Sequence, residues 1–113
     1  MTAYAIAHFT DIAADMNAEV IEYLHRIDDT LAPFGGQFLV HGGEVHELEE
    51  TWPGGVVVIS FPDFTAAREW YDSPAYQAIL PLRRRSLAGS VILVDGVSAP
   101  HAATDIIPVQ ASR

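Results

Sequence analysis

The chain has 113 residues, enough for one domain with a modest core and much exposed surface. Its 15 acidic residues against 6 arginines and no lysine give a net charge of −9, which repels phosphate backbones and anionic lipid and argues against nucleic acid and membrane as partners. Cysteine is absent, which excludes disulfides, thiolate metal sites and a cysteine nucleophile. Half of the residues are hydrophobic and only 19% are charged, so an apolar surface is expected to be buried beyond the monomer's own core, most simply in an oligomer.

Residues 1 to 9 lack the basic start and longer apolar run of a signal peptide, and no segment reaches transmembrane length, so the cytoplasm is the expected location. Residues 3 to 9 alternate as a strand does. Tyr4, Ile6 and His8 point one way, and Ala3, Ala5, Ala7 and Phe9 the other. The small alanines leave room for a helix to lie close, so that face is assigned to the helices and the Tyr4/Ile6/His8 face to another layer.

Met16, Val20, Leu24, Ile27 and Leu31 then form the stripe of an amphipathic helix, with Asp15 or Asn17 as its cap. Pro33 and Gly35-Gly36 end it, and no phosphate-binding glycine pattern occurs anywhere. A second strand starts at Gln37 and is expected to continue past His41-Gly42-Gly43 to about Leu48, with the glycines marking a bulge. After a turn over residues 49 to 55, the apolar run from Val56 to Phe61 reads as a strand covered on both faces, closed by Pro62.

Asp63 or Thr65 caps the next helix, in which Phe64, Ala67 and Tyr71 share a face. Ser73 is a good N-cap and Pro74 suits the position after it, so a helix restarts there. Pro81 is expected to cut this piece short and deliver Arg83-Arg84-Arg85 at its far end. Residues 90 to 96 form the fourth strand, again apolar on both sides.

The order β-α-β-β-α-β specifies an α+β, ferredoxin-like domain with a four-stranded antiparallel sheet and helices on one face. Strands apolar on both faces require cover on the helix-free side, which two sheets packed face to face would supply as a homodimer with a barrel-like interior. Residues 1–97 are read as this single domain. Residues 98–113 are a tail that is either loose or docks Ile106-Ile107 on a neighbour.

The pieces Thr30 to Val40, Phe61-Pro62, Trp70 to Gln77, Pro81-Leu82-Arg83 and Val94-Asp95-Gly96 together resemble the bacterial proteins grouped as domain of unknown function 1330, within the dimeric α/β-barrel superfamily. The resemblance spans roughly residues 3 to 97 and implies the same dimeric ferredoxin-like fold, but it lends no catalytic residues. The wider superfamily holds cofactor-independent monooxygenases, lactone isomerases, polyketide cyclases, haem enzymes and plain ligand binders. The chain departs from the family pattern at His41, where arginine is common, and at Glu49-Glu50-Thr51 before Trp52, where a glycine is usual. Both changes would alter the charge at the mouth of a pocket.

The candidate catalytic residues are His8 and His41, since a neutral imidazole serves as acid or base near pH 7. His8 is assigned to the barrel interior, against the alternative of an edge histidine bonded to backbone. His41 either lines the same cavity or is a solvated residue at a bulge. Arg83 offers a bidentate fork for a carboxylate or enolate, against the alternative of a salt bridge, and Arg84 and Arg85 are expected to face water. Tyr76, Trp70 and Tyr4 complete the candidate substrate contacts, with Tyr76 placed to orient a carbonyl, although aromatics at helical spacing are more often core.

No metal site is expected: His46-Glu47 shares its start with HExxH, but the second histidine is missing and the glutamates read as a solvated edge. No cofactor is expected either, haem through a histidine being the weaker exception. Two functions remain. One is a cofactor-independent isomerase, cyclase or monooxygenase acting on a small carbonyl-containing or aromatic metabolite, with His8 or His41 as base and Arg83 or Tyr76 stabilising an enolate. The other is a non-catalytic dimer that binds a small ligand or has a stress or accessory role.

Overall fold

A computed structural model describes residues 1–10 and 17–108. Met16 and Asp15 of the expected first helix lie outside the described residues. The elements are β1 (Ala3–Phe9), α1 (Ala18–Leu31), β2 (Gln37–His41), β3 (Gly55–Phe61), α2 (Phe64–Asp72), α3 (Pro74–Arg84) and β4 (Gly89–Asp95), with short 3-10 turns at Ala32–Phe34 and Ala103–Ile106. The strands form one antiparallel sheet in the order β2-β3-β1-β4. This is the expected α+β, ferredoxin-like architecture, with the second helix divided in two at Ser73.

β1 is a central strand, paired through its full length with β3 on one side and β4 on the other. Its alternation holds: Ala3, Ala5, Ala7 and Phe9 are buried, and Tyr4, Ile6 and His8 are partly exposed on the other face. The core lies on the alanine side, where Ile59 and Phe61 from β3 meet Tyr23, Ile27 and Leu31 from α1 and Trp70, Tyr76, Ile79 and Leu80 from α2 and α3. The opposite face is apolar and open. Leu39 and Ile92 are more than half exposed there, beside Val94, Ile6, Val58 and Val40.

The caps follow from residue chemistry. Asn17 accepts from the Val20 N–H at the start of α1, and Asp63 accepts from Ala66 N–H at the start of α2. The first helix ends through Pro33 and a left-handed Gly35 (φ 72°), whose missing side chain also lets Pro62 pack against it. Ser73 ends α2 and starts α3, donating to the Trp70 carbonyl at 2.7 Å and accepting from Tyr76 N–H at 3.2 Å.

Three expectations change. β2 stops at His41, paired with Val57, and does not reach Leu48, which is 92% exposed, because Gly42 turns the chain with positive φ. On α2 the buried face carries Ala67 and Trp70, while Phe64 is exposed and Tyr71 only half-buried. The larger indole takes the core position and rotates the helix to suit.

The third change matters most for the site: α3 passes through Pro81 and continues to Arg84. Pro81 and Gln77, whose carbonyl loses its partner, both lie on the exposed side where water can satisfy the group. Beyond the proline the ladder resumes with Arg85 N–H donating to the Pro81 carbonyl.

No described helix is long and apolar enough to cross a membrane. Replacing Ser73 with alanine removes the only side-chain cap of α3 and should lower the unfolding free energy by about 1 kcal/mol in urea titration. An unchanged midpoint would mean that Pro74 and packing alone start the helix.

Candidate functional site

The helix layer does not close fully on the sheet. Ala5 and Ala7 of β1 leave space that the helices do not fill, and a cavity of about 430 Å³ lies between sheet and helices. That volume falls within the range of small-molecule sites. Its buried walls are Ile59, Ile27, Trp70, Tyr23 and Tyr76, and its exposed end is formed by His41, Gly42, Gly43 and Gly54 with Asn17. At Gly54 (φ 84°) an added Cβ would collide with the Phe9 carbonyl, so this rim needs glycine. Asn17 donates to Ser86 Oγ at 2.9 Å and Arg85 bonds to Glu19, tying the start of α1 to the end of α3 beside the opening.

Polar chemistry gathers in the buried part. The Tyr23 and Tyr76 hydroxyls are 2.7 Å apart and buried. Burial first, and then Tyr76 beside it, push the Tyr23 hydroxyl well above the usual phenol range, so it is neutral at physiological pH. Arg83 is only 6% exposed, its guanidinium 5.3 Å from the centre of the Phe9 ring. Burial works against its charge, but the phenols of Tyr76 and Tyr23 more than compensate, and its pKa lies above the ordinary arginine value. Among the described residues no carboxylate pairs with it. Trp70 holds the group in place: its ring lies 4.1 Å from that of Tyr76, and its indole N–H donates to Thr30 Oγ1 at 3.0 Å.

Arg83, Tyr76, Trp70 and His41, all candidates from the sequence, line this one cavity. Tyr76 and Arg83 are seven residues apart on α3, two helical turns, so continuation through Pro81 is what stacks them on one face. His41 stands at the opening with its ring on Phe38, centres 4.2 Å apart. Arg85 does not simply face water as expected, since it pairs with Glu19; the pair is exposed and contributes little.

Tyr4 and His8 do not join the group. The two-residue period of β1 that exposes Ala5 and Ala7 to the cavity turns both of them to the opposite face of the sheet. There His8 donates from Nε2 to the Pro53 carbonyl at 2.8 Å and stacks on Trp52 with ring centres 4.0 Å apart. The cavity that this one chain encloses lies between its own sheet and helices, on the face opposite to Tyr4 and His8. In the β2–β3 loop, Glu47 accepts from the Trp52 N–H at 2.6 Å, a structural role for one residue of the acidic run.

Tyr23 was missed by the sequence reading. Its signal was present, three residues after Val20 and four before Ile27, but a tyrosine near the first turns of a helix reads as boundary polarity until its hydroxyl partner on α3 is known.

The family model for domain of unknown function 1330 matches residues 2–97. No curated protein matches the chain. Among solved structures, methylated RPA0582 from Rhodopseudomonas palustris aligns at 13% identity and TM-score 0.63, covering 88% of this chain and 84% of that one. SnoaB, described as a cofactor-independent oxygenase from Streptomyces nogalater, aligns at 17% identity and TM-score 0.57 over 88% of this chain and 98% of its own. A dimeric ferredoxin-like protein of unknown function from Thermobifida fusca aligns at 18% identity and TM-score 0.56, covering 84% and 91%. At these identities the likeness is one of fold.

If Ala7 borders open space, a larger side chain there should improve packing. Ala7→Leu is expected to leave stability unchanged or raise it by about 0.5–2 kcal/mol in urea unfolding. A loss of more than about 1 kcal/mol, the usual cost of overpacking, would show that the space is already filled.

Proposed function

The chain belongs to the family of domain of unknown function 1330, and from that premise we propose that it binds a small, mostly apolar metabolite in the cavity and carries out cofactor-free proton transfer on it. One observation carries the reading: Arg83, buried and without a carboxylate partner among the described residues, lines an apolar cavity together with a pair of phenols. A charge held out of water needs a counterpart, and a carbonyl oxygen that becomes an enolate supplies one when its charge develops. His41 at the opening is the base. Its neutral imidazole takes a proton from the carbon next to the carbonyl, the electron pair moves to the oxygen facing Arg83 and Tyr76, and the imidazolium returns the proton to the same or another carbon. The outcome is isomerisation, with no other reactant consumed. The fold shared with a protein described as a cofactor-independent oxygenase is consistent with this assignment and adds only analogy.

The test is native mass spectrometry of the untagged protein purified gently from its host. The expected result is a retained small molecule, lost or bound at least about tenfold more weakly by Arg83→Met. Incubation in deuterated water should then label that molecule at carbon. His41→Gln should slow the labelling by a factor on the order of 10² while leaving the molecule bound. Retention by Arg83→Met at wild-type occupancy would sink the assignment of Arg83. Tight binding without any labelling would leave a ligand carrier in place of an enzyme.

We propose in addition that two copies pair through the helix-free sheet face, where Leu39, Ile92 and Val94 are exposed at 56%, 53% and 39%. The Thermobifida fusca protein of the same fold is described as dimeric, which supports this. The segment beyond residue 97 would then dock Ile106 and Ile107, both strongly exposed, on the partner. Sedimentation equilibrium at micromolar concentration should give twice the chain mass. Ile92→Glu should weaken association by at least about 100-fold, since each copy would bury an unpaired carboxylate. A wild-type monomer under those conditions would remove the proposal.

A further inference from the structure

The two buried phenols pose a question of proton count. Their oxygens are 2.7 Å apart, so one O–H is donated within the pair, and the other phenol keeps a proton that must point elsewhere. The polar side chain beside both hydroxyls is Arg83, which cannot accept that proton. The third polar group, Arg83, can only donate, and it too is without a carboxylate. The side-chain acceptors other than the phenols are at the exposed end: the Asn17 carbonyl oxygen accepts from Val20 N–H, Ser86 Oγ accepts from Asn17, and the His41 ring stands at the opening.

The buried part of the cavity therefore holds a positive charge and one phenol O–H in excess, with the phenol oxygens as its side-chain acceptors. Resting on the reading of the cavity as a ligand site, we propose that this part of it recognises an anionic oxygen, a carboxylate or the oxyanion of an enol or phenol, carried on a flat apolar body. Tyr23 is then a ligand-binding residue alongside Tyr76 and Arg83. A flat aromatic body suits walls that Trp70 and Tyr76 line together with Ala5 and Ile59. Amines and other cations are disfavoured, because they would meet the Arg83 charge with no carboxylate in the described lining to offset it. A neutral carbonyl satisfies the donors but leaves the Arg83 charge without a counterpart, so it ranks between the two.

Three probes with one body separate these cases: 2-naphthoate, 2-naphthamide and 2-naphthylmethylammonium, titrated calorimetrically into the wild-type full-length chain. The expected order is naphthoate first, naphthamide second and the ammonium last, with at least about tenfold between first and last, as charge-assisted hydrogen bonds require. Arg83→Gln should bring naphthoate and naphthamide to within about threefold of each other. Tyr23→Phe should lower the naphthoate-to-naphthamide ratio, a readout that a general loss of packing would not move, since both probes share the body. The ranking in the wild type needs no variant to fold.

An ammonium probe that binds as well as naphthoate overturns the inference, as does an Arg83→Gln protein with the wild-type ratio. Equal binding of all three leaves the cavity as a ligand site and removes only its preference for anions. Failure of all three to bind removes both.

Discussion

The interaction on which the rest of this structure depends is the pairing of β1 along both of its edges. A strand fixed by two partners over its full length cannot slip, so its alternation is locked in space. On one side it presents Ala3, Ala5 and Ala7, and on the other Tyr4, Ile6 and His8. Small residues in the centre of a sheet invite a helix to approach closely, and at Ala3, fully buried, that happens. Around Ala5 and Ala7 the aromatic rings of Tyr23, Trp70 and Tyr76 stand on the helices opposite, and a cavity remains. The wall that keeps the space open is itself tied down, by the Trp70–Thr30 and Tyr23–Tyr76 hydrogen bonds.

The second constraint is the continuity of α3. Ser73 sets where the helix starts, and a start at Pro74 places Tyr76, Ile79, Leu80 and Arg83 on one buried face. A helix that ended at Pro81 would release the arginine into a loop. Because the lost hydrogen bond falls on the wet side, the proline is tolerated, and the cation is held among apolar groups. Burial of this kind is unfavourable for an isolated charge, and the neighbouring phenols offset it. A charge kept in such a place without a salt-bridge partner among the described residues is a feature that packing alone does not explain.

Much of the fold was legible because it is written in local rules. Alternation placed β1, four-residue spacing placed α1, and Asn17, Asp63 and Ser73 marked their helices as polar caps do. Where the structure departs from the local rules, the cause is mostly a partner distant in sequence, β2 apart, which ends at His41 where Gly42 turns the chain. Pro81 survives because of which side of α3 faces water. Tyr23 matters because of a hydroxyl 53 residues away. The orientation of His8 follows from β1 alone, whereas the cavity between sheet and helices does not.

The charge distribution joins these observations. The chain carries −9 overall, yet its buried cavity contains a guanidinium and no acid among the described residues. At physiological ionic strength the field of exposed carboxylates is screened within roughly 8 Å, whereas groups in the cavity interact through a medium that screens far less. The acidic exterior therefore sets the rate at which an anion arrives, and the interior sets whether it stays. Added salt weakens the exterior repulsion while barely touching the buried contacts, so an anionic ligand should associate faster as ionic strength rises. A ligand held by surface arginines would do the reverse, and the sign of that dependence reports which side of the protein's charge the ligand meets.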